Sequence, residues 1–346
     1  MDEQNFPLIH RIIFGLSSKS LVAEVEENPH AVYLKDAQGR TALDWATARG
    51  DLDNMRLLIA HGSDVNSMDV TGRTTVLHAV DSHCDEALRI VLEAGANPNP
   101  KMPAGVFRSS PLTSSGFGGL TGMLRLLLKH GAEIDACNPE GITALHSVAS
   151  TQNIESALVL LEWGADLNAI SRNGRTPLTT AIVYNNHAVL KLFIERCYEF
   201  IITARFKGPQ LLPIIAEYAD MQTLSILSNS YPFKLSLDLT DGSLVSCREI
   251  LAGRRDFDHT LSGAFEELVW IAKAEEVAVS GGGSDDSGSL AESGRYFSAK
   301  SSFHSDIAEA LTALRSRRAS HMEGSEGEGQ GMEKGKEKEC LISLGD

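Results

Sequence analysis

A few short clusters carry residue types that could do chemistry, and each competes with an architectural reading. The run SSGFGGLTG over 114–122 has the glycine density of a phosphate-cradling loop. It lacks the lysine and spacing of G-x-x-x-x-G-K-[ST], and no strand signal precedes it, so nucleotide binding is not expected there. His78, His83 and Cys84 offer metal-ligand types, but a fourth ligand at usable spacing is missing. Cys–His catalysis needs a thiolate held beside its base in a cleft, and nothing in the sequence sets one up. Arg49-Gly50-Asp51 spells an adhesion tripeptide, read here as a turn between helices. Arg317-Arg318-Ala319-Ser320 resembles a basic-directed kinase site with Ser320 as acceptor, where phosphorylation would weaken a basic helix end. The sequence therefore predicts no catalytic residue, no cofactor and no metal.

The elements that position these residues come from internal repetition. Gly39, Gly72, Gly141 and Gly174 each precede a Thr-rich segment, as in DAQGRTALDWA and SRNGRTPLTTA. Gly62, Gly95, Gly131 and Gly164 each end an apolar run, as in LLIAHG and LLEWG. The first set is spaced by 33 residues from 39 to 72 and from 141 to 174; the second by 33, 36 and 33. Paired members lie 23 apart in every complete case, so two registers stay in step.

Each unit has a physical logic. Thr41, Thr143 and Thr176 can accept a bond from a free N–H of the next turn, which starts a helix. Pro177, just inside, has a fixed φ and no N–H to leave unpaired. Gly50, Gly119 and Asn185 follow the short helix and tolerate the left-handed backbone of a tight turn. A second helix such as DNMRLLIAH spaces apolar residues three and four apart and stops at a glycine. One such pair cannot bury its apolar face alone, whereas stacked pairs make a continuous core.

This pattern is similar to the ankyrin repeat, carried here by TALDWA (41–46), TALHSVA (143–149) and TPLTTA (176–181). The resemblance implies an all-α solenoid with copies at 36–68, 69–99, 105–137, 138–170 and 171–203. The third departs from the pattern: Arg108 takes the glycine place, and KMPAGVFRS adds three residues to the finger loop. In the second copy His78 falls one position after the usual histidine; His146 occupies the usual one and should tie neighbouring repeats together. Cys197 stands where the fifth copy should have its closing glycine. Residues 1–35 read as an N-terminal capping helix pair, and 204–276 as degenerate copies closed by a helix over 259–276. In that last segment Phe265, Leu268, Ile271 and Ala272 share one face.

The resemblance also implies where a partner would bind. Finger tips contribute Gln38, Arg40, Thr71, Arg73, Phe107, Glu140, Arg172 and Arg175, and the ends of the first helices contribute Arg49, Asp81, Phe117 and Tyr184. Arginines and aromatics are enriched at binding hot spots. Arg40, Arg73 and Arg175 follow the same glycine and should align as a basic ridge, which either meets an acidic partner segment or serves solubility.

The chain holds 46 Asp+Glu against 31 Lys+Arg, a net charge of −15, which disfavours broad contact with nucleic acid or anionic membrane. MDEQNFPLIH shows no basic leader before an apolar run, so no signal peptide is expected. No apolar stretch approaches the roughly 20 residues that cross a bilayer. The odd, scattered cysteines suggest neither a disulfide framework nor a zinc knuckle. A cytoplasmic or nuclear monomer is expected. Residues 277–346 are Gly/Ser/Glu/Lys-rich and should be disordered, except that 305–318 places Ile307, Leu311 and Leu314 on one helical face. That segment either folds onto a partner or forms a transient helix. The resulting expectation is a scaffold or adaptor that binds another protein; the alternative is a substrate receptor recruiting a modifying enzyme such as a ubiquitin ligase.

Overall fold

The computed structural model describes residues 6–101, 109–200, 211–230 and 241–280. Phe107, Ser320 and the 305–318 segment lie outside the described residues.

Helices come in consecutive pairs. These are α1 (Leu8–Ile13) with α2 (Leu21–Glu27), α3 (Ala42–Ala48) with α4 (Leu52–Ala60), and α5 (Thr75–Asp81) with α6 (Asp85–Glu93). Next come α7 (Pro111–Phe117) with α8 (Thr121–Lys129), α9 (Ala144–Ala149) with α10 (Ile154–Glu162), and α11 (Pro177–Val183) with α12 (His187–Phe200). The last are α13 (Leu211–Tyr218) with α14 (Met221–Ser230), and α15 (Asp241–Ala252) with α16 (His259–Ser280). First members stack in one row from α1 to α15, and second members in another from α4 to α16. One apolar core runs between the rows from Ile9 to Ala272.

The starts of these helices follow from their caps. Thr41, Thr143 and Thr176 each accept the backbone N–H three residues on, and each belongs to a reciprocal capping box. Ser110, before Pro111, accepts the Thr113 N–H in the pair whose finger departs from the pattern. Thr74 makes no such bond. Its helix carries Leu77 at the third position, where Asp44, His146 and Thr179 return the bond in the boxed pairs.

Glycine is required where fingers touch. At Gly141, with φ +76°, a Cβ would lie 3.1 Å from Ser171 Cα and 3.3 Å from Arg172 N. Gly39 meets Val70 N of the next finger at 3.1 Å in the same way. The turn inside each pair is left-handed at Gly50 and Gly119, and also at Asn185 and His83.

Two irregular places depart from the simple repeat. With Cys197 in the glycine place, α12 does not stop but runs to Phe200, 14 residues against nine in α10. At the far end, the helix expected to close the stack is the second member of a pair. There α15 packs on α13 and α16 on α14, so the region is one further complete pair. Phe265, Leu268 and Ala272 of α16 are fully buried in that contact, with Ile271 nearly so.

Candidate partner-binding face

A regular set of positions lies at the edge of the core. Seven and eight residues after the capping position come Ala48 and Arg49, Asp81 and Ser82, Phe117 and Gly118, Ser150 and Thr151, then Val183 and Tyr184. All sit where a first-row helix gives way to its turn. Phe117 is 71% exposed and Tyr184 59%, and the other exposed rings, Tyr33, Trp163, Phe257 and Trp270, lie off this set of positions. Arg49 is exposed too, its guanidinium 5.3 Å from the Phe14 ring centroid, while Asp51 caps α4. The Arg49-Gly50-Asp51 tripeptide is thus absorbed into an inter-helix turn.

Beside this row stand the fingers, shaped by side chains that the motif reading passed over. Asp36 Oδ1 accepts the N–H groups of Gln38 and Arg40, both at 2.9 Å. Asp69 Oδ1 does this for Thr71 and Arg73, and Asn138 Oδ1 for Glu140 and Ile142. Ser171 Oγ takes the N–H of Arg175 at 3.2 Å. The available signal was a short oxygen-bearing residue three places before each first-set glycine. Adjacent fingers are joined by Val70 N–H to Gln38 O at 2.9 Å and Arg172 N–H to Glu140 O at 2.8 Å.

The three arginines that share a register do not share an environment. Arg40 Nε lies 3.3 Å from Asp69 Oδ2, and its guanidinium stacks 4.6 Å above Trp45. Burial opposes ionisation of Asp69, but hydrogen bonds from Thr71, Arg73 N–H and Arg40 outweigh it and hold the carboxyl below its usual range. Arg73 Nη1 reaches Asp81 Oδ2 at 3.4 Å. Arg175 instead lies 5.8 Å over the Tyr218 ring. Among the described residues, no carboxylate lies within ion-pair distance of Arg172 or Arg175.

Buried polar links hold the face in register. His146 Nε2–H donates to Arg175 O at 3.0 Å, while Nδ1 faces the Thr143 hydroxyl at 3.0 Å. Burial lowers its pKa and keeps the ring neutral at pH 7. His10 makes the same bond to Arg40 O at 2.9 Å, so the N-terminal pair carries a working copy of the repeat histidine. In the first full repeat that place is Asp44, which binds Ser67 at the end of its own copy and Thr75 of the next pair. His78, shifted by one, is buried with Nε2 3.7 Å from Asp69.

The other chemical candidates take structural places. A Cβ on Gly116 would meet Ala144 O at 3.0 Å, so the glycine run packs α7 against α9. His83 is exposed and Cys84 buried, and no group of three or more potential metal ligands exists among the described residues. An open cleft of about 330 Å³ lies between α14 and the α15–α16 turn, lined in part by Asp220, Asp256 and Asp258. These carboxylates are already bonded, to His187, Arg254 and the Leu261 N–H respectively.

A family model described as "Ankyrin repeats (3 copies)" matches residues 10–102 and 114–204. The chain is 34% identical over 163 residues to ankyrin repeat protein nuc-2 of Neurospora crassa, covering 46% of this chain and 15% of that protein. It is 27% identical over 164 residues to E3 ubiquitin-protein ligase KEG of Arabidopsis thaliana, covering 46% and 10%. Against human neurogenic locus notch homolog protein 1 the identity is 30% over 147 residues, covering 42% and 6%. The match therefore spans between 6% and 15% of the length of these relatives.

Proposed function

This chain belongs to the ankyrin-repeat family, and from that premise we propose that it is a scaffold or adaptor gripping a client protein along its first-helix row. Ankyrin repeats indicate a protein–protein interaction module, and a curved repeat array presents its concave side as an extended surface. The observation that carries the reading is the exposure of Phe117 and Tyr184 at equivalent ends of first-row helices. Large rings held on rigid helix ends lose little conformational freedom on binding and are frequent hot spots. Around them we place Gln38, Arg40, Thr71, Arg73, Glu140, Arg172 and Arg175 on the finger tips, with Arg49 and Asp81 on the same row and Phe107 on the third finger. No helix among the described residues is long and apolar enough to cross a membrane. We place the protein in the cytoplasm or nucleus, as a monomer without cofactor.

The test is affinity purification of the full chain beside a Phe117→Asp/Tyr184→Asp double variant. The reading expects the reproducible client set to disappear from the variant while its thermal unfolding is unchanged. Retention of the same clients would refute it. A second reading, substrate recognition for a modifying enzyme, draws on the likeness to a protein named as a ubiquitin ligase. It expects ligase subunits that still co-purify with the double variant after the client is lost.

A further inference from the structure

The fingers of the first, second and fifth repeats each carry an arginine before the capping threonine, and the acids around them differ. Arg40 is neutralised by Asp69, the oxygen-bearing residue that starts the next finger. Arg73 is neutralised by Asp81, seven residues after the cap. On the fifth repeat the place seven after the cap is Val183, so the acid that meets Arg73 has no counterpart there; the start of the following finger, the place equivalent to Asp69, lies outside the described residues. The same repeat adds the exposed ring of Tyr184. Arg172 stands on the fifth finger, also without a carboxylate partner among the described residues. Glu140, on the adjoining fingertip, lies beyond ion-pair distance of both arginines. Glu217 is engaged by the Tyr218 hydroxyl, the largest influence in raising that phenol's pKa.

The row leading to this corner is free of formal charge over three repeats. Phe117 and Gly118, Ser150 and Thr151, then Val183 and Tyr184 follow one another, whereas Arg49 and Asp81 occupy the row in the first two. An acidic protein with two cations that meet no carboxylate among the described residues, beside an uncharged, ring-bearing strip, is complementary to a segment with the opposite arrangement.

We infer that the strip from Phe117 to Tyr184 takes an extended partner segment, largely uncharged, whose aspartate or glutamate meets Arg172 and Arg175 and whose aromatic or aliphatic residue packs on Tyr184. This rests on the protein-binding reading above and names the partner's chemistry. It also places the working cations on the fifth repeat rather than along a ridge shared with Arg40 and Arg73. Guanidinium groups suit the role because they bind carboxylates bidentately and resist deprotonation.

The test is selection of a random 12-residue peptide library displayed on phage against the immobilised full-length chain. Fluorescence polarisation of one enriched peptide follows. Enriched sequences should carry Asp or Glu next to an aromatic or aliphatic residue. Arg172→Glu/Arg175→Glu should weaken binding at least tenfold, Arg172→Lys/Arg175→Lys less severely, and Arg89→Glu on the outer row by less than twofold. Replacing the peptide's acid by its amide should cost at least fivefold in wild type and little in the Glu variant. Enriched peptides without an acid, or unchanged affinity in the Glu variant with an unchanged melting curve, would overturn this assignment while leaving the module reading intact. No enrichment of any sequence would count against the module reading and this assignment together.

Discussion

Replacing Asp44 should loosen the joint between the first two full repeats, and the structure sets the scale. The carboxylate is buried, and Oδ2 accepts Thr41 N–H, the Thr41 hydroxyl and the Ser67 hydroxyl, each at 2.9 Å. Its Oδ1 accepts the Thr75 hydroxyl at 2.7 Å. Hydrogen bonds to a charged group contribute about 1.5–3 kcal/mol each, but they are not additive. Counting only the two bonds to Ser67, at the seam, and Thr75, in the next repeat, Asp44→Ala should cost about 3 kcal/mol. Asp44→Asn keeps one oxygen for the three donors on Oδ2, and the Thr75 hydroxyl can rotate to accept the new amide. That change should cost about 1 kcal/mol. Repeat arrays do not always unfold as one unit, so hydrogen exchange resolved along the chain is the suitable assay. A loss of 3 kcal/mol predicts roughly a hundredfold faster opening of α3 and α5, with α9 and α11 little changed. A cost below about 1 kcal/mol for Asp44→Ala, or equal costs for the two variants, would refute the reasoning.

Further outcomes follow from the same contacts. Burial lowers the pKa of His10, His78 and His146, so the unfolded chain takes up their protons first as pH falls below about 6.5. Their contribution is complete above that value and shrinks toward pH 5; urea titrations at pH 7 and pH 5 should show it, with a smaller difference in His146→Gln. Asp69 and Asp220 have lowered pKa values and should add a separate loss only as pH falls below about 3.8. Gly141→Ala should cost more than Gly174→Ala in thermal unfolding. Both glycines are left-handed, but only at Gly141 would the methyl meet backbone atoms at 3.1 and 3.3 Å; the shared strain is about 1–2 kcal/mol. Phe117→Ser and Tyr184→Ser should leave the melting temperature nearly unchanged, since neither ring is part of the core.

The repeat was legible because its markers are local. A glycine spacing, a capping threonine and an apolar run each act within a few residues, and the helices form where those marks stand. Ser110 was readable in principle as a cap, since it precedes Pro111 as Thr176 precedes Pro177, but the altered finger before it obscured the register. His10 was hidden because the first pair lacks the glycine before its cap. The face itself was legible only as positions. Which arginines remain available depends on contacts such as Arg40 with Asp69, 29 residues away in sequence and 3.3 Å apart in space. Counting net charge cannot reveal that two cations are compensated locally while two others meet no carboxylate among the described residues. The final pair was obscured for a similar reason: α15 and α16 lack the threonine cap and the glycine rungs, and only their packing on α13 and α14 shows them to continue the stack.

The central claim is that clients dock on the first-helix row between Phe117 and Tyr184. The most direct measurement is site-specific photo-crosslinking in cells, with a photoreactive amino acid at Phe117 or Tyr184 and, as controls, at Glu93 and Trp163 on the second row. The account predicts discrete protein adducts from the first two positions, carrying the same client, and none from the controls. Adducts of equal yield from Glu93 and Trp163, or from those positions alone, would contradict it.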